Sequence, residues 1–100
     1  MKISEFQQMM KDLYFERDKK RGVSRTFCWL VEEIGELAKG INKNIDIDQE
    51  FADAEEFADI FAWLCSLANL FEIDLEKVAT DKYNNCCPKC KENPCKCEFV

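Results

Sequence analysis

Apolar residues recur at spacings of three and four along most of this chain, and this periodicity is the feature that most limits how it can fold. Three stretches carry the pattern: Phe6, Met9, Met10, Leu13 and Tyr14; Phe27, Leu30, Val31, Ile34, Leu37, Ala38 and Ile41; and Phe57, Ile60, Phe61, Leu64, Leu67, Ala68 and Phe71. No segment gives the period-two alternation of a half-buried strand. The sequence therefore predicts an all-α fold with short loops, resembling a four-helix bundle.

Residues that start or stop helices divide the pattern into four elements. The helices are predicted over residues 4–20, from Ser24 or Thr26 to Lys43, from after Asp48 to Phe71, and from Asp74 onward. Gly22 breaks the first helix, and the charged residues 16–21 before it are predicted to be a solvated helix end. In the short fourth helix we expect Leu75, Val78 and Tyr83 to face inward.

A chain of 100 residues has room for one domain with a single core. We expect a helical domain over residues 1–85 and a separate cysteine-rich tail over residues 86–100. The third helix is apolar around more of its circumference than packing on one side requires. We therefore predict a homodimer or a homotetramer that buries the remaining apolar surface.

The charge balance limits the partners of the chain. Twenty acidic residues against 14 basic ones give a net charge of -6, which argues against binding nucleic acid through its phosphate backbone. The first residues turn polar at once, unlike a secretory signal, and no apolar run approaches the ~20 residues that span a bilayer. We expect a cytoplasmic protein that binds neither nucleic acid nor membranes.

Two pairs of carboxylates interrupt otherwise apolar helices. Glu33 and Glu36 form one pair and Glu56 and Asp59 the other, each with the three-residue spacing that places both side chains on one helix face. These like charges repel unless a cation lies among them, and antiparallel packing would let the pairs converge. Oxygen ligands suit Mg²⁺, with Mn²⁺ as a substitute. The pattern predicts a magnesium site; the alternative is a set of solvated charges on amphipathic helices.

Two tryptophans extend the carboxylate stripes. Trp29 lies one turn before Glu33, and Trp63 lies one turn after Asp59. An indole at either position would stack on a nucleobase. The alternative is that both tryptophans pack in the core or at a subunit interface, which is common for aromatic residues at helical spacing.

The order of the acidic motifs resembles the signature of the all-α nucleotide pyrophosphohydrolases, which include MazG, the dimeric dUTPases and the dCTPase-like enzymes. The motifs are Glu32-Glu33-Ile34-Gly35-Glu36 and Glu56-Phe57-Ala58-Asp59, with 19 residues between them. The flanking residues 21–22, 26–31 and 73–75 also resemble small MazG-like proteins. The likeness extends over residues 1 to 85 and implies the all-α MazG fold.

The resemblance also implies a reaction and roles for individual residues. Such enzymes cleave nucleoside triphosphates between the α and β phosphates, which gives a monophosphate and pyrophosphate. The resemblance is also compatible with a house-cleaning role, in which the enzyme hydrolyses non-canonical nucleotides. Glu33, Glu36, Glu56 and Asp59 would be the magnesium ligands, and Glu32 would orient the attacking water or complete an outer shell. The candidates for substrate binding are Trp29, Trp63, Lys82, Asn84 and Asn85.

Cysteines are concentrated near the C-terminus, where five of the seven fall between Cys86 and Cys97. Such clustering in a cytosolic protein favours a metal site over disulfides. The predicted ligands of a structural Zn²⁺ are Cys87, Cys90, Cys95 and Cys97. Cys86 is left over or competes with Cys87, and the alternatives are a redox pair or a disulfide-stapled tail. Cys28 and Cys65 lie in apolar stretches and are predicted to be core residues.

These features together predict a magnesium-dependent nucleoside triphosphate pyrophosphohydrolase. The alternative is a non-catalytic helical oligomer that binds nucleotide or metal and docks a partner through its zinc tail. The paired carboxylates favour the enzyme, because simple nucleotide binding more typically uses a glycine-rich loop or a basic cleft.

Overall fold

The computed structural model describes residues 1–43 and 54–98. They form four helices and no strand: α1 (Ile3–Arg21), α2 (Val23–Lys43), α3 (Glu55–Leu70) and α4 (Leu75–Lys82). The predicted all-α class is confirmed. The predicted start of the third helix, after Asp48, lies outside the described residues, and α2 begins at Val23 rather than at Ser24 or Thr26.

Local chemistry explains where the helices stop and start. Gly22 ends α1 with a φ of 85°, in the region that glycine enters without steric penalty, and its N–H donates to the Asp18 carbonyl at 2.9 Å. α2 follows directly, and the Thr26 N–H donates to the Gly22 carbonyl. Asp74 caps α4 as predicted, because its side chain accepts a hydrogen bond from the Lys77 N–H at 3.2 Å.

The third helix lies between the first two and packs against both. On the α1 side, the rings of Phe6 and Phe61 stack with their centroids 4.9 Å apart. The buried Gln7 amide donates to the Asn69 side chain at 2.9 Å, and the Gln7 carbonyl oxygen Oε1 accepts from the Leu75 N–H at 3.0 Å. Gln7 thus joins α1, α3 and the start of α4 through hydrogen bonds that satisfy buried polar groups.

The buried apolar core of the described residues is small and contains Met10, Leu30, Cys65 and Ala68. Much of the predicted apolar surface is exposed, including Leu13, Tyr14, Phe27, Val31, Ile34, Ile41, Leu64 and Phe71. The four exposed residues of α2 in this set lie on the side of the helix that does not face α3. Cys65 is buried as predicted, whereas the prediction for Cys28 is wrong because that residue is exposed.

The fourth helix also differs from expectation. Val78 is 49% exposed and Tyr83 is 62% exposed, so the prediction that both face inward is wrong for this chain. The reason is that α4 packs mainly on the N-terminal part of α1 and offers it only one side. Within residues 1–43 and 54–98, no helix has the length and apolar character needed to cross a membrane.

Candidate active site

Three carboxylates from two helices converge between α2 and α3. α2 turns Thr26, Leu30 and Glu33 toward α3, since these positions repeat at the helical spacing and all are buried or half-buried. Glu56 and Asp59 lie one turn apart on α3. One oxygen from each of Glu33, Glu56 and Asp59 lies within 4.8 Å of the others. The predicted convergence of the two acidic motifs is therefore present in the fold.

This acidic cluster, Glu33 with Glu56 and Asp59, is electrostatically crowded. Burial, a hydrogen bond with Glu56 and the charges of Glu36, Glu56 and Asp59 together raise the pKa of Glu33 from 4.5 to about 7. The Oε2 atom of Glu56 is enclosed, and no described residue forms a hydrogen bond with it. A proton or a cation placed among these oxygens would relieve the repulsion.

Two further predicted acidic residues lie outside the cluster. Glu36 is exposed, and although its charge acts on Glu33, its oxygens are not among the three that converge. Glu32 is exposed as well. The structure therefore brings together three of the four predicted magnesium ligands, with Glu36 one turn farther along the same helix.

The two tryptophans pack against each other. The rings of Trp29 and Trp63 are nearly parallel, at 11°, with their centroids 6.0 Å apart. The guanidinium of Arg21 lies over the Trp63 ring at 4.8 Å from its centroid, a cation–π contact. The aromatic pair thus bridges α2 and α3 one turn from the acidic cluster.

A cleft of about 260 Å³ adjoins the acidic cluster. Its walls come from α1 and α3, and its lining residues are Tyr14, Arg17, Asp18, Arg21, Asp59, Ala62, Trp63 and Ser66. Asp59 belongs to both the cleft and the cluster. A ligand held at the carboxylates therefore has this open cleft directly beside it.

The cleft shows that the interpretation of residues 16–21 as a solvated helix end is wrong for two of them. Asp18 is only 1% exposed, and its Oδ1 accepts a hydrogen bond from Arg21 Nη1 at 2.7 Å. The sequence did contain a signal: Asp18 lies eleven residues after Gln7 and eight after Met10, which places it on the same inward face of α1.

The comparison with known protein families decides the assignment. A sequence profile of the MazG nucleotide pyrophosphohydrolase domain matches residues 21–91, more than half of the chain. The chain belongs to the MazG nucleotide pyrophosphohydrolase family. The match covers α2, α3 and α4 and so includes all three residues of the acidic cluster. Among curated proteins, none matches this chain.

Membership of the MazG family confirms the resemblance seen in the sequence and supports the predicted enzyme class, a hydrolase that acts on nucleotides. The matched residues start at Arg21, so Tyr14, Arg17 and Asp18 of the cleft lie before them. This MazG chain therefore builds one wall of its cleft from a helix that is mostly outside the family match.

The predicted phosphate-binding residues of the last helix do not line this cleft. Lys82 places its Nζ over the ring of Tyr83, 5.8 Å from the centroid. Asn85 adopts a φ of 60°, and its carbonyl accepts a hydrogen bond from Asn93 Nδ2 at 2.8 Å. Asn84 is exposed. Of these three residues, Asn85 contacts the cysteine tail directly.

Four cysteines form a second cluster in the tail. The sulfurs of Cys87, Cys90, Cys95 and Cys97 all lie within 4.8 Å of one another, and Cys86 is outside the group. Cys87 Sγ is 3.7 Å from Cys97 Sγ, and Cys90 Sγ is 3.9 Å from Cys95 Sγ. A tetrahedron with Zn–S bonds of about 2.3 Å has edges of about 3.8 Å. The arrangement of this cysteine cluster fits the predicted zinc site.

Backbone N–H groups polarise the cysteine cluster. Those of Lys96 and Glu92 lower the pKa of Cys90 to about 6, and the Lys96 N–H lies 3.3 Å from Cys90 Sγ. The N–H groups of Cys90 and Lys89 lower the pKa of Cys87. The neighbouring thiols, Cys95 first, raise the pKa of Cys97 to about 12. Without a cation, the sulfurs therefore cannot all be thiolates at neutral pH.

Proposed function

We propose that this MazG chain catalyses the magnesium-dependent hydrolysis of nucleoside triphosphates to a monophosphate and pyrophosphate. The observation that carries the proposal is the convergence of one oxygen each from Glu33, Glu56 and Asp59 within 4.8 Å, on two helices that the family match covers. Three like charges at this distance on adjacent helices have no structural benefit without a cation.

The donor set of the acidic cluster suits magnesium. It consists of carboxylate oxygens alone, the ligands that this hard cation prefers, and the chain has no histidine to favour a softer metal. The pKa of Glu33 is raised, and the enclosed Oε2 of Glu56 has no hydrogen-bond partner among the described residues; both observations favour a site that gains from a positive charge. Mn²⁺ accepts the same ligands and is expected to substitute.

The carboxylates of the two motifs would have different roles in binding the cation and in positioning the attacking water. Glu33, Glu56 and Asp59 would hold the cation, and Glu36, one turn beyond Glu33, would add a fourth carboxylate. Glu32, which precedes Glu33 on α2 and is exposed, would orient the attacking water or complete an outer shell around the cation. Mg²⁺ bound there would neutralise phosphate charge, which is the main requirement of phosphoryl chemistry.

The cysteine cluster is proposed to hold a structural zinc ion. Its four sulfurs have the separations of a tetrahedral site, and four protein ligands leave no open position for substrate. Lys89, Lys91 and Lys96 lie in the same stretch and would offset the charge of four thiolates. This ion would therefore stabilise the tail and take no part in hydrolysis.

A second copy of the chain is proposed to cover the exposed apolar strip of α2. Phe27, Val31, Ile34 and Ile41 are all exposed, and they recur along the side of the helix that α3 does not cover. A contiguous apolar strip of this kind is typical of a subunit interface. We infer a homodimer or a homotetramer, in line with the apolar excess of the sequence.

The test is pyrophosphate release from a panel of canonical and damaged nucleoside triphosphates, with Mg²⁺ and then with EDTA. We expect release only with the metal, and loss of release in Glu56→Gln. Glu55→Gln, an exposed neighbour on the same helix, is the matched control and should keep its activity. If no nucleotide in the panel releases pyrophosphate, or if EDTA has no effect, the proposal is wrong.

A further inference from the structure

The cleft beside the acidic cluster contains a buried carboxylate with one unused hydrogen-bond acceptor. Asp18 is 1% exposed and lines this cleft. Its Oδ1 accepts from Arg21 Nη1 at 2.7 Å, whereas its Oδ2 is enclosed and has no hydrogen-bond partner among the described residues. Since an unpaired buried acceptor destabilises a fold, such an atom needs an explanation.

The walls of the cleft suit a flat aromatic ligand better than a phosphate chain. Tyr14 contributes exposed aromatic surface beside Trp63, whose ring already contacts Trp29 and Arg21, and the small side chains of Ala62 and Ser66 complete the α3 wall. Of the two cations in the lining, Arg21 is paired with the buried Asp18, and Arg17 is exposed on α1. The buried carboxylate of Asp18 would repel a phosphate deep in the cleft, whereas it would not repel a neutral base.

Position links the cleft to the acidic cluster. Asp59 is a member of both, and Trp63 and Ser66 follow it by one and two turns along α3. A nucleotide whose phosphates are held at the cluster therefore has its nucleoside end beside the cleft. This step rests on the proposed function.

We propose that the cleft binds the nucleobase and that Asp18 Oδ2 accepts a hydrogen bond from an exocyclic amino group of that base. Asp18 is thereby a specificity-determining residue that favours amino-bearing bases over their oxo counterparts. Cytosine and adenine carry a donor at this position, where uracil and hypoxanthine carry a carbonyl acceptor. Two acceptors facing each other leave both unpaired, and that penalty is the source of the discrimination.

The first experiment compares kcat/KM within two substrate pairs, CTP with UTP and ATP with ITP, in each pair that is turned over. The wild type should favour the amino member by about tenfold or more, as expected when a buried acceptor selects for a donor. Asp18→Asn keeps the shape and can keep the Arg21 contact but places an amide N–H₂ at the Oδ2 position, so it should abolish or reverse the ratio.

Asp12→Asn is the matched control. It makes the same chemical change on the same helix, at an exposed residue that accepts a hydrogen bond from Gln8 outside the cleft. It should leave both ratios unchanged. An Asp18→Asn enzyme with the wild-type ratios would overturn the role of Asp18 while leaving the proposed hydrolysis intact.

A second experiment needs neither turnover nor a variant. Binding of cytidine, uridine, adenosine and inosine to the wild type in EDTA is followed by tryptophan fluorescence, since Trp63 lines the cleft. The amino nucleosides should bind about tenfold more tightly than the oxo ones. Equal affinities within both pairs would contradict the inference, even if Asp18→Asn failed to fold or no triphosphate were hydrolysed.

Discussion

The acidic cluster and the cysteine cluster are both crowded sets of metal-ligating atoms, but the chain supports them differently. Glu33, Glu56 and Asp59 project from two helices whose packing uses other residues, such as the buried Leu30 and Cys65. The cysteines lie in a segment of turns beyond α4. The acidic cluster therefore has a position that the fold defines without metal, whereas the cysteine cluster has little else to order it.

The hydrogen bonds of the tail illustrate this difference. The Cys87 N–H donates to the Glu92 carbonyl at 2.9 Å, and the Lys91 N–H donates to the Cys87 carbonyl at 2.8 Å. These bonds close one small loop around the sulfurs, and no described residue of the tail beyond Cys86 is buried. A metal at the cysteines would thus support structure, and a metal at the carboxylates would support chemistry.

The largest expected effect is the loss of turnover when one carboxylate of the acidic cluster is neutralised. Asp59→Asn should lower kcat/KM by at least about 100-fold, since it removes a ligand of the proposed metal. The free energy of unfolding should stay the same or rise, because like-charge repulsion is relieved. Activity assays and thermal unfolding check both parts. A loss of helicity in this variant would instead show that Asp59 has a structural role, and would contradict the view that the fold positions the acidic cluster independently of its charges.

A mutation in the cysteine cluster should change the zinc content of the protein without changing the activity of the acidic cluster. Cys90→Ser should lose its zinc and loosen the tail, yet keep magnesium-dependent hydrolysis. Cys86→Ser is the matched control, because Cys86 is outside the four-sulfur group and its variant should keep a full equivalent of zinc. Elemental analysis of the purified proteins is the measurement. Unchanged zinc in Cys90→Ser would rule out the four-thiolate site.

Subunit assembly should depend on the apolar strip of α2 and on neither cluster. Phe27→Asp places a charge on this strip and should reduce the mass of the particle in solution, measured by light scattering. Leu13→Asp makes the same kind of change at an exposed residue of α1 and should leave the mass unaltered. Equal masses for the wild type and both variants would contradict the proposed interface.

The smallest effect concerns pH. The pKa of Glu33 is raised from 4.5 to about 7, so in EDTA its contribution to stability is present below pH 4.5 and is lost as pH rises through about 7. Magnesium affinity should change in the opposite sense and weaken about tenfold per unit below pH 7, because the cation displaces a proton. Unfolding and magnesium titrations at several pH values measure both trends.

Glu33→Gln is the control for the metal-free trend, because it removes the titrating group. The loss of stability between pH 4.5 and 7 should be smaller in this variant than in the wild type. An identical pH dependence would assign the trend to other groups and would weaken the electrostatic account of the acidic cluster.

The sequence was informative about features that depend on a single helix, such as its position, its cap and the residues that share one of its faces. Periodicity predicted the helices, Asp74 was recognised as a cap, and the spacing of Glu56 and Asp59 placed both on one face. The convergence with Glu33 followed from the need to bring two like-charged motifs to one cation. Cys65 was correctly placed in the core because it lies in the helix that packs on both sides.

The sequence was misleading where burial depends on which helix lies opposite. Asp18 looked like part of a solvated charged run, but α3 covers that face of α1 and encloses it. Cys28 looked apolar in context, yet it lies on a side of α2 that α3 does not reach. The sequence also did not indicate the contacts of Lys82 with the Tyr83 ring or of Asn85 with Asn93 in the tail, because both depend on how the chain turns after α4.

The most direct test of the proposed hydrolysis is a phosphorus-31 NMR time course of the wild-type protein with a nucleoside triphosphate and Mg²⁺. The account predicts equal amounts of nucleoside monophosphate and pyrophosphate, with no reaction once EDTA is added. A diphosphate with orthophosphate, or an unchanged triphosphate across the whole panel, would contradict it.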